Sequence, residues 1–231
     1  MPKHPPEPLE NARARAQQAV AEATTHGINV PPAAWEPLRE ALTSFPEDLD
    51  ILFFAFQFQF RSGNLDHAER LAQRRLQLAP VNSAHSARAL CNLGLIAHQQ
   101  KRFADAERLL NEALTVDRAI GNMLGVARDL GNLALVPESL GDLDRAEALN
   151  HEALAVARTL EGPEAEDIAA GKLSNLGDIA LARGRREQAW DLWQQARAIF
   201  RRLGVTKWDK EFDQREADFA RSSKADSTAA S

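Results

Sequence analysis

Along most of the chain apolar residues recur every three or four positions, with Arg, Glu, Asp and Gln between them. That is the period of a helix with one buried face. One stretch departs from it. "ILFFAFQFQF", residues 51–60, holds five of the ten phenylalanines, and Phe and Gln alternate from Phe56 to Phe60. Read alone, such alternation is a half-buried strand, and a short uncharged aromatic window is also a hazard for aggregation. The surrounding register decides otherwise and predicts a helix from Leu49 to Arg61. On it Phe53, Phe56 and Phe60 share one face and Phe54 and Phe58 another, as suits a helix flanked on two sides.

That register is an internal repeat. "GNLDHAERL" begins at Gly63, "KRFADAERL" at Lys101, "GDLDRAEAL" at Gly141 and "GRREQAWDL" at Gly184. Each reads as a turn and then a helix with alanine at one fixed site: Ala68, Ala106, Ala146 and Ala189, separated by 38, 40 and 43 residues. Upstream of the last three lie "LCNLG" from Leu90, "LGNLA" from Leu130 and "LSNLG" from Leu173. The unit is helix, tight turn, helix, and small residues fall where the two helices would touch, which lets the backbones approach closely.

This pattern resembles the tetratricopeptide repeat family. Leu93-Gly94 and Leu176-Gly177 match the first half of its motif, the four alanines match the second, and Pro80 stands at the terminating proline. The longer spacing and the recurring "NLG" are similar to the kinesin-light-chain variety, common in bacterial proteins. The family's tyrosine is missing; Ala97, Pro137 and Ala180 take its place. The resemblance implies an all-α fold, a right-handed superhelical solenoid of about five helix pairs. A degenerate pair (9–48) is expected to precede pairs at 49–82, 87–122, 126–161 and 166–203, with helices at 9–26 and 33–45 joined through Gly27 and Pro31-Pro32. Trp208, Phe212 and Phe219 form a stripe on a capping helix at 205–221, since a solenoid's last repeat needs a cover with a polar outer face. Residues 1–8 are read as a flexible start and 222–231 as a disordered tail.

Net charge is −5, which argues against a general nucleic-acid or membrane binder. One cysteine, Cys91, allows no intrachain disulfide and fits a reducing, cytoplasmic setting. "MPKHPPEPLE" has no apolar core of a secretory signal, and no apolar run is long enough to span a bilayer. Abundant Ala, Arg and Leu without tyrosine points to a GC-rich bacterial source. The six histidines show no metal-ligand spacing with each other or with Cys91, and no phosphate loop, dinucleotide fingerprint or nucleophile motif is present. The expectation is a protein without cofactor, metal or catalysis.

In the family the first helix of each pair lines a concave face that holds extended peptides or partner helices. Asn92, Asn132 and Asn175 recur in register there. An amide both donates and accepts, so these either pair with a peptide's main chain or bridge neighbouring repeats. Arg88 and Arg128 lie one turn earlier and would read a carboxylate; Gly171 and Lys172 break that series. Phe53, Phe54 and Gln57 stand at one end, with Leu95 and Leu135 as apolar contacts and Asp178 on a mildly acidic far side. The expected role is an adaptor for a protein or peptide partner. The alternative is a self-associating scaffold or complex-assembly factor that uses its ends or convex face; for the stripe of the capping helix, the alternative to covering the last repeat is dimerisation.

Overall fold

The structure, a computed structural model, describes residues 7–26, 32–206 and 208–229, and these are helices and short connections. They divide into two compact units, Met1–Ile120 and Gly121–Ser231. The first contains α1 (Leu9–His26), a 3-10 turn (Pro32–Trp35), α2 (Glu36–Ser44), α3 (Leu49–Arg61), α4 (Leu65–Leu78), α5 (Ala84–Gln99) and α6 (Phe103–Ala119). The second contains α7 (Met123–Leu133), α8 (Leu135–Ser139), α9 (Leu143–Arg158), α10 (Pro163–Ala182), α11 (Arg186–Arg202) and α12 (Asp209–Ala229). Consecutive helices pair as in a tetratricopeptide solenoid: α3 with α4, α5 with α6, α7 and α8 with α9, and α10 with α11. Within each unit the second helix of one pair also packs on the first of the next, α4 on α5 and α9 on α10. Gly27 and Pro31 of the expected first joint, and residues 1–6 of the expected flexible start, lie outside the described residues.

Residues 51–60 are helical, and the reason is tertiary. Leu52, Ala55, Phe56 and Phe58 are buried in one core with Ala16, Ala19 and Val20 of α1, Ala68, Leu71 and Ala72 of α4, and Leu93 and Ile96 of α5. A strand would send alternate side chains to opposite faces and could not satisfy three neighbours at once. Burying each large side chain is worth about 1.5–3 kcal/mol, more than the ~1 kcal/mol span of strand propensity. Asp48 caps the helix, accepting from the N–H groups of Asp50 (3.1 Å) and Ile51 (2.9 Å). Burial raises the pKa of that carboxyl, but the Arg13 hydrogen bond and the backbone N–H groups outweigh it and hold the group below its ordinary value.

Three first helices begin three residues ahead of the expected boundaries, at Ala84, Met123 and Pro163. Each start has a local cause. The Ser83 hydroxyl accepts from Ser86 N–H at 3.1 Å while the Ser86 hydroxyl accepts from Ser83 N–H at 3.0 Å. Asn122 Oδ1 accepts from Gly125 N–H at 3.3 Å, and Pro163 occupies the first turn of α10, where a missing N–H costs nothing.

The turns between paired helices share one geometry. The N–H three residues beyond the helix returns to a carbonyl five residues back: Asn64 to Gln59, Arg102 to Ala97, Asp142 to Pro137 and Arg185 to Ala180, at 2.8–2.9 Å. This is the Schellman arrangement, and it requires a left-handed residue inside each turn. Gly63, Gly141 and Gly184 supply it with φ of 76°, 80° and 72°; in the α5–α6 turn Lys101 does so with φ 60°. Pro137 is thus a turn acceptor. It offers no N–H to the Leu133 carbonyl, and the helix divides at Ala134 into α7 and α8. Ala134 itself stays right-handed helical (φ −61°, ψ −24°), so the interruption is slight.

At the far end α12 covers α11 as expected of a cap. Phe212 is buried, Trp190 and Phe219 stack at 4.7 Å, and Phe200 lies 6.3 Å from Trp208 and 6.2 Å from Phe212. Arg197 of α11 holds Glu216 at 2.8 Å and also pairs with Asp213. The helix continues to Ala229, past residue 221; the expected disordered tail from Ser222 is helical through 229, and only 230–231 lie outside the described residues.

The Lys101 conformation gives a direct test of the turn. A left-handed L-residue costs roughly 1–2 kcal/mol, part of which glycine loses again to its freer unfolded chain. Lys101→Gly is therefore expected to raise stability by about 0.5–1 kcal/mol, read as a higher urea midpoint with an unchanged m-value.

Candidate functional site

In the N-terminal unit the expected surface forms on α3 and α5. Phe53, Phe54, Gln57, Arg88 and Leu95 are each half-buried, while the residues between them, Ala55, Phe56, Cys91, Leu93 and Ile96 among them, are buried. Phe53 is the centre. The guanidinium carbons of Arg75 and Arg88 both lie 5.1 Å from its ring centroid, and Phe54 is 6.0 Å away. Arg75, from α4, is buried and immobilised: Nε donates to the Leu49 carbonyl (2.8 Å), Nη1 to the His85 carbonyl (3.2 Å) and Nη2 to His85 Nδ1 (2.9 Å). Arginine only donates, so His85 Nδ1 accepts and its ring proton sits on Nε2. The result is an aromatic ring carrying two cations, a surface complementary to apolar and anionic groups. Asn92 lies behind it, 4% exposed, and its Nδ2 has no hydrogen-bond partner.

Sequence reasoning missed Arg75. Its register position holds Ala41, Ala113, Ala153 and Ala196 in the other units, all 0% exposed. A lone arginine where every equivalent is a buried alanine was the available signal.

In the C-terminal unit Arg128, Asn132 and Leu135 are half-buried on α7 and α8. Arg128, expected to read a partner's carboxylate, has its Nε 3.3 Å from Oδ1 of Asp129, which is fully buried. Desolvation makes a single buried carboxylate expensive, and an adjacent guanidinium offsets that cost. Asn175 Nδ2 donates to Asn150 Oδ1 at 3.3 Å, and the buried Asn150 donates to the Ala146 carbonyl at 3.0 Å. Here the amide bridges two helices, α10 and α9. Asp178 accepts from Trp193 Nε1 at 3.1 Å and from Arg215 Nη2 at 2.9 Å. Burial, opposed by Arg215 and Trp193, pushes its carboxyl up to about 6, with Glu211 and Glu138 adding to the rise. Lys172, where the arginine series breaks, lies along α7: a Cβ built at Gly131 would stand 2.2 Å from its Nζ. Desolvation lowers this ammonium to about 8 although Glu138 favours its charged form.

Residues 87–120 and, separately, 128–165 match the tetratricopeptide repeat family. Those two segments carry tetratricopeptide repeats. Over 91 residues it is 30% identical to human tetratricopeptide repeat protein 7B, a match covering 39% of this chain and 10% of that protein. Among solved structures it is similar to BtubC (BKLC) from P. vanneervenii, with a TM-score of 0.59, 24% identity, and coverage of 86% of this chain and 93% of that one. Pseudomonas aeruginosa pilF gives a TM-score of 0.60 at 20% identity, covering 94% and 92%. The putative kinesin light chain repeats of Podospora anserina give 0.58 at 16% identity, covering 84% and 96%. These likenesses show the fold. Tetratricopeptide repeats generally mediate protein–protein contacts. Among the described residues no helix is long and apolar enough to cross a membrane, and no group of three or more His, Cys, Asp and Glu could hold a metal ion.

The two shifted groups in the C-terminal repeats make opposite predictions. Asp178 binds its proton more tightly folded than unfolded, so its contribution to stability falls as pH rises from its ordinary 3.8 through about 6. Asp178→Asn should flatten that part of the profile of melting temperature against pH. Lys172 binds its proton less tightly when folded, so stability rises with pH between about 8 and 10.5. Lys172→Met keeps the stem over Gly131 and should abolish that rise, with a higher melting temperature at pH 7.

Proposed function

We propose that this repeat protein is a non-enzymatic adaptor that binds a linear segment or helix of a partner protein on the face made by the first helices of its pairs. The observation that carries this is the Phe53 cluster. Two guanidinium groups and a second ring stand around a half-exposed aromatic side chain, and one of the cations, Arg75, is fixed by three hydrogen bonds. A rigid, partly open aromatic–cationic surface is what a binding hot spot needs, because little side-chain entropy remains to be lost on association.

The asparagines divide by environment. Asn175 is engaged with Asn150 and supports the scaffold, whereas Asn92 Nδ2 is buried without a hydrogen-bond partner and meets a bound main-chain carbonyl once its side chain turns outward. Of the aromatic stripe on the cap, only Trp208, 39% exposed, is offered for self-association, since Phe212 is buried on Phe200 and Phe219 is stacked on Trp190. That weighs against the scaffold alternative in its dimeric form and toward a capped, monomeric adaptor.

The test uses an immobilised full-length chain, a co-purifying partner measured by mass spectrometry, and the melting temperature of each variant. Phe54→Ala and Arg88→Gln are each expected to lower partner retention about tenfold or more, as loss of a hot-spot contact does. Asn92→Ala should cost ~1–3 kcal/mol of binding. Its melting temperature should fall less than that of Asn150→Ala, which loses two existing hydrogen bonds. Retention unchanged in all three binding variants would remove this face from the interaction.

A further inference from the structure

Among the five glycines in the first helices of pairs, three have a packing reason. A Cβ at Gly94 would meet Leu110 at 2.7 Å, one at Gly131 would meet Lys172 at 2.2 Å, and one at Gly177 would meet Trp193 at 2.4 Å. Gly171, in the middle of α10, has nothing within 4 Å of that position. A helix-interior glycine costs ~1 kcal/mol relative to alanine, and packing does not require it here. What it leaves is space. Gly171 lines a cavity of about 130 Å³ between α10 and α12, walled by the rings of Phe200, Trp208 and Phe212 and by Asp178, Glu211 and Arg215.

The cavity's charge is unbalanced. Arg215 Nη2 binds Asp178 at 2.8 Å and Glu211 at 2.7 Å, so one guanidinium faces two carboxylates. In register, position 171 is that of Arg88 and Arg128. At Arg88 the chain lays its own guanidinium on an aromatic ring; position 171 carries no side chain, and Arg215, 5.4 Å from the Phe212 centroid, is the cation that faces both carboxylates.

We propose that the cavity between α10 and α12 is a guanidinium site, which takes an arginine side chain of the bound partner segment. A guanidinium is flat and weakly hydrated, so it stacks on the aromatic walls, and its fork reaches the Glu211 carboxylate. An ammonium lacks both features, and a neutral isostere lacks the charge. This inference rests on the adaptor reading for the source of the arginine, but the site is tested apart from any partner.

The probe is N-acetyl-arginine methylamide, titrated into the 15N-labelled full chain while the indole N–H signals of Trp208 and Trp193 are followed. The lysine and citrulline analogues are run alongside. The arginine probe is expected to give saturable shifts with at least threefold tighter binding than lysine, and citrulline none. It should also move the Asp178 carboxyl titration below about 6, because an added cation favours the charged form. Gly171→Leu fills the cavity and should weaken the response tenfold or more. Gly171→Ala, whose Cβ clashes with nothing, is the variant to use if α12 is displaced; it should weaken the response severalfold with a melting temperature equal to or above that of the parent. A citrulline response equal to that of arginine, or undiminished binding in Gly171→Ala and Glu211→Gln, overturns the site. Those outcomes leave the adaptor reading standing, since it fails only when Phe54→Ala, Arg88→Gln and Asn92→Ala all retain the partner.

Discussion

The close approach of two helices at small side chains is the constraint on which the rest of this structure depends. Ala68, Ala106, Ala146 and Ala189 are each 0% exposed, and at Gly94 and Gly177 there is no room for even a methyl group beside Leu110 and Trp193. Helices that meet this closely leave no slack for sliding, because interiors pack to crystal-like density. In the four pairs from α3 to α11 the same turn joins the two helices, with its left-handed residue and its return hydrogen bond. What varies is what the first helices carry on the side away from their partners.

That variation separates scaffold from surface. Where the equivalent position is a buried alanine in four units, Arg75 introduces a cation held by backbone carbonyls and a histidine nitrogen, and it supports Phe53 from within. In the C-terminal unit, Asp178 ties Trp193 of α11 to Arg215 of α12, so the last helix is fastened by polar contacts as well as by Phe212. The raised pKa of Asp178 and the lowered one of Lys172 arise from the same source, charges placed where helices crowd out water. For both groups burial costs the charged form more than its ionic partners return.

The sequence alone determined the architecture: the all-α class, the helix pairs, the turn positions, the helical state of residues 51–60 and the aromatic cap. It could do so because the repeat presents the same local problem several times, and register shared across copies outweighs a misleading pattern in one of them. Only the tertiary structure decided what the inner side chains do. Asn92, Asn132 and Asn175 occupy the same register position, yet Asn175 is spent on Asn150 while the Nδ2 of Asn92 is buried without a partner. Arg88 lies on Phe53, whereas Arg128 lies beside the buried Asp129. Gly171 looked like a lapse in a series and proved to be the wall of a cavity. The physical reason is that periodicity fixes where a backbone runs, while the partner of a polar side chain comes from another helix, tens of residues away, whose identity no local pattern encodes.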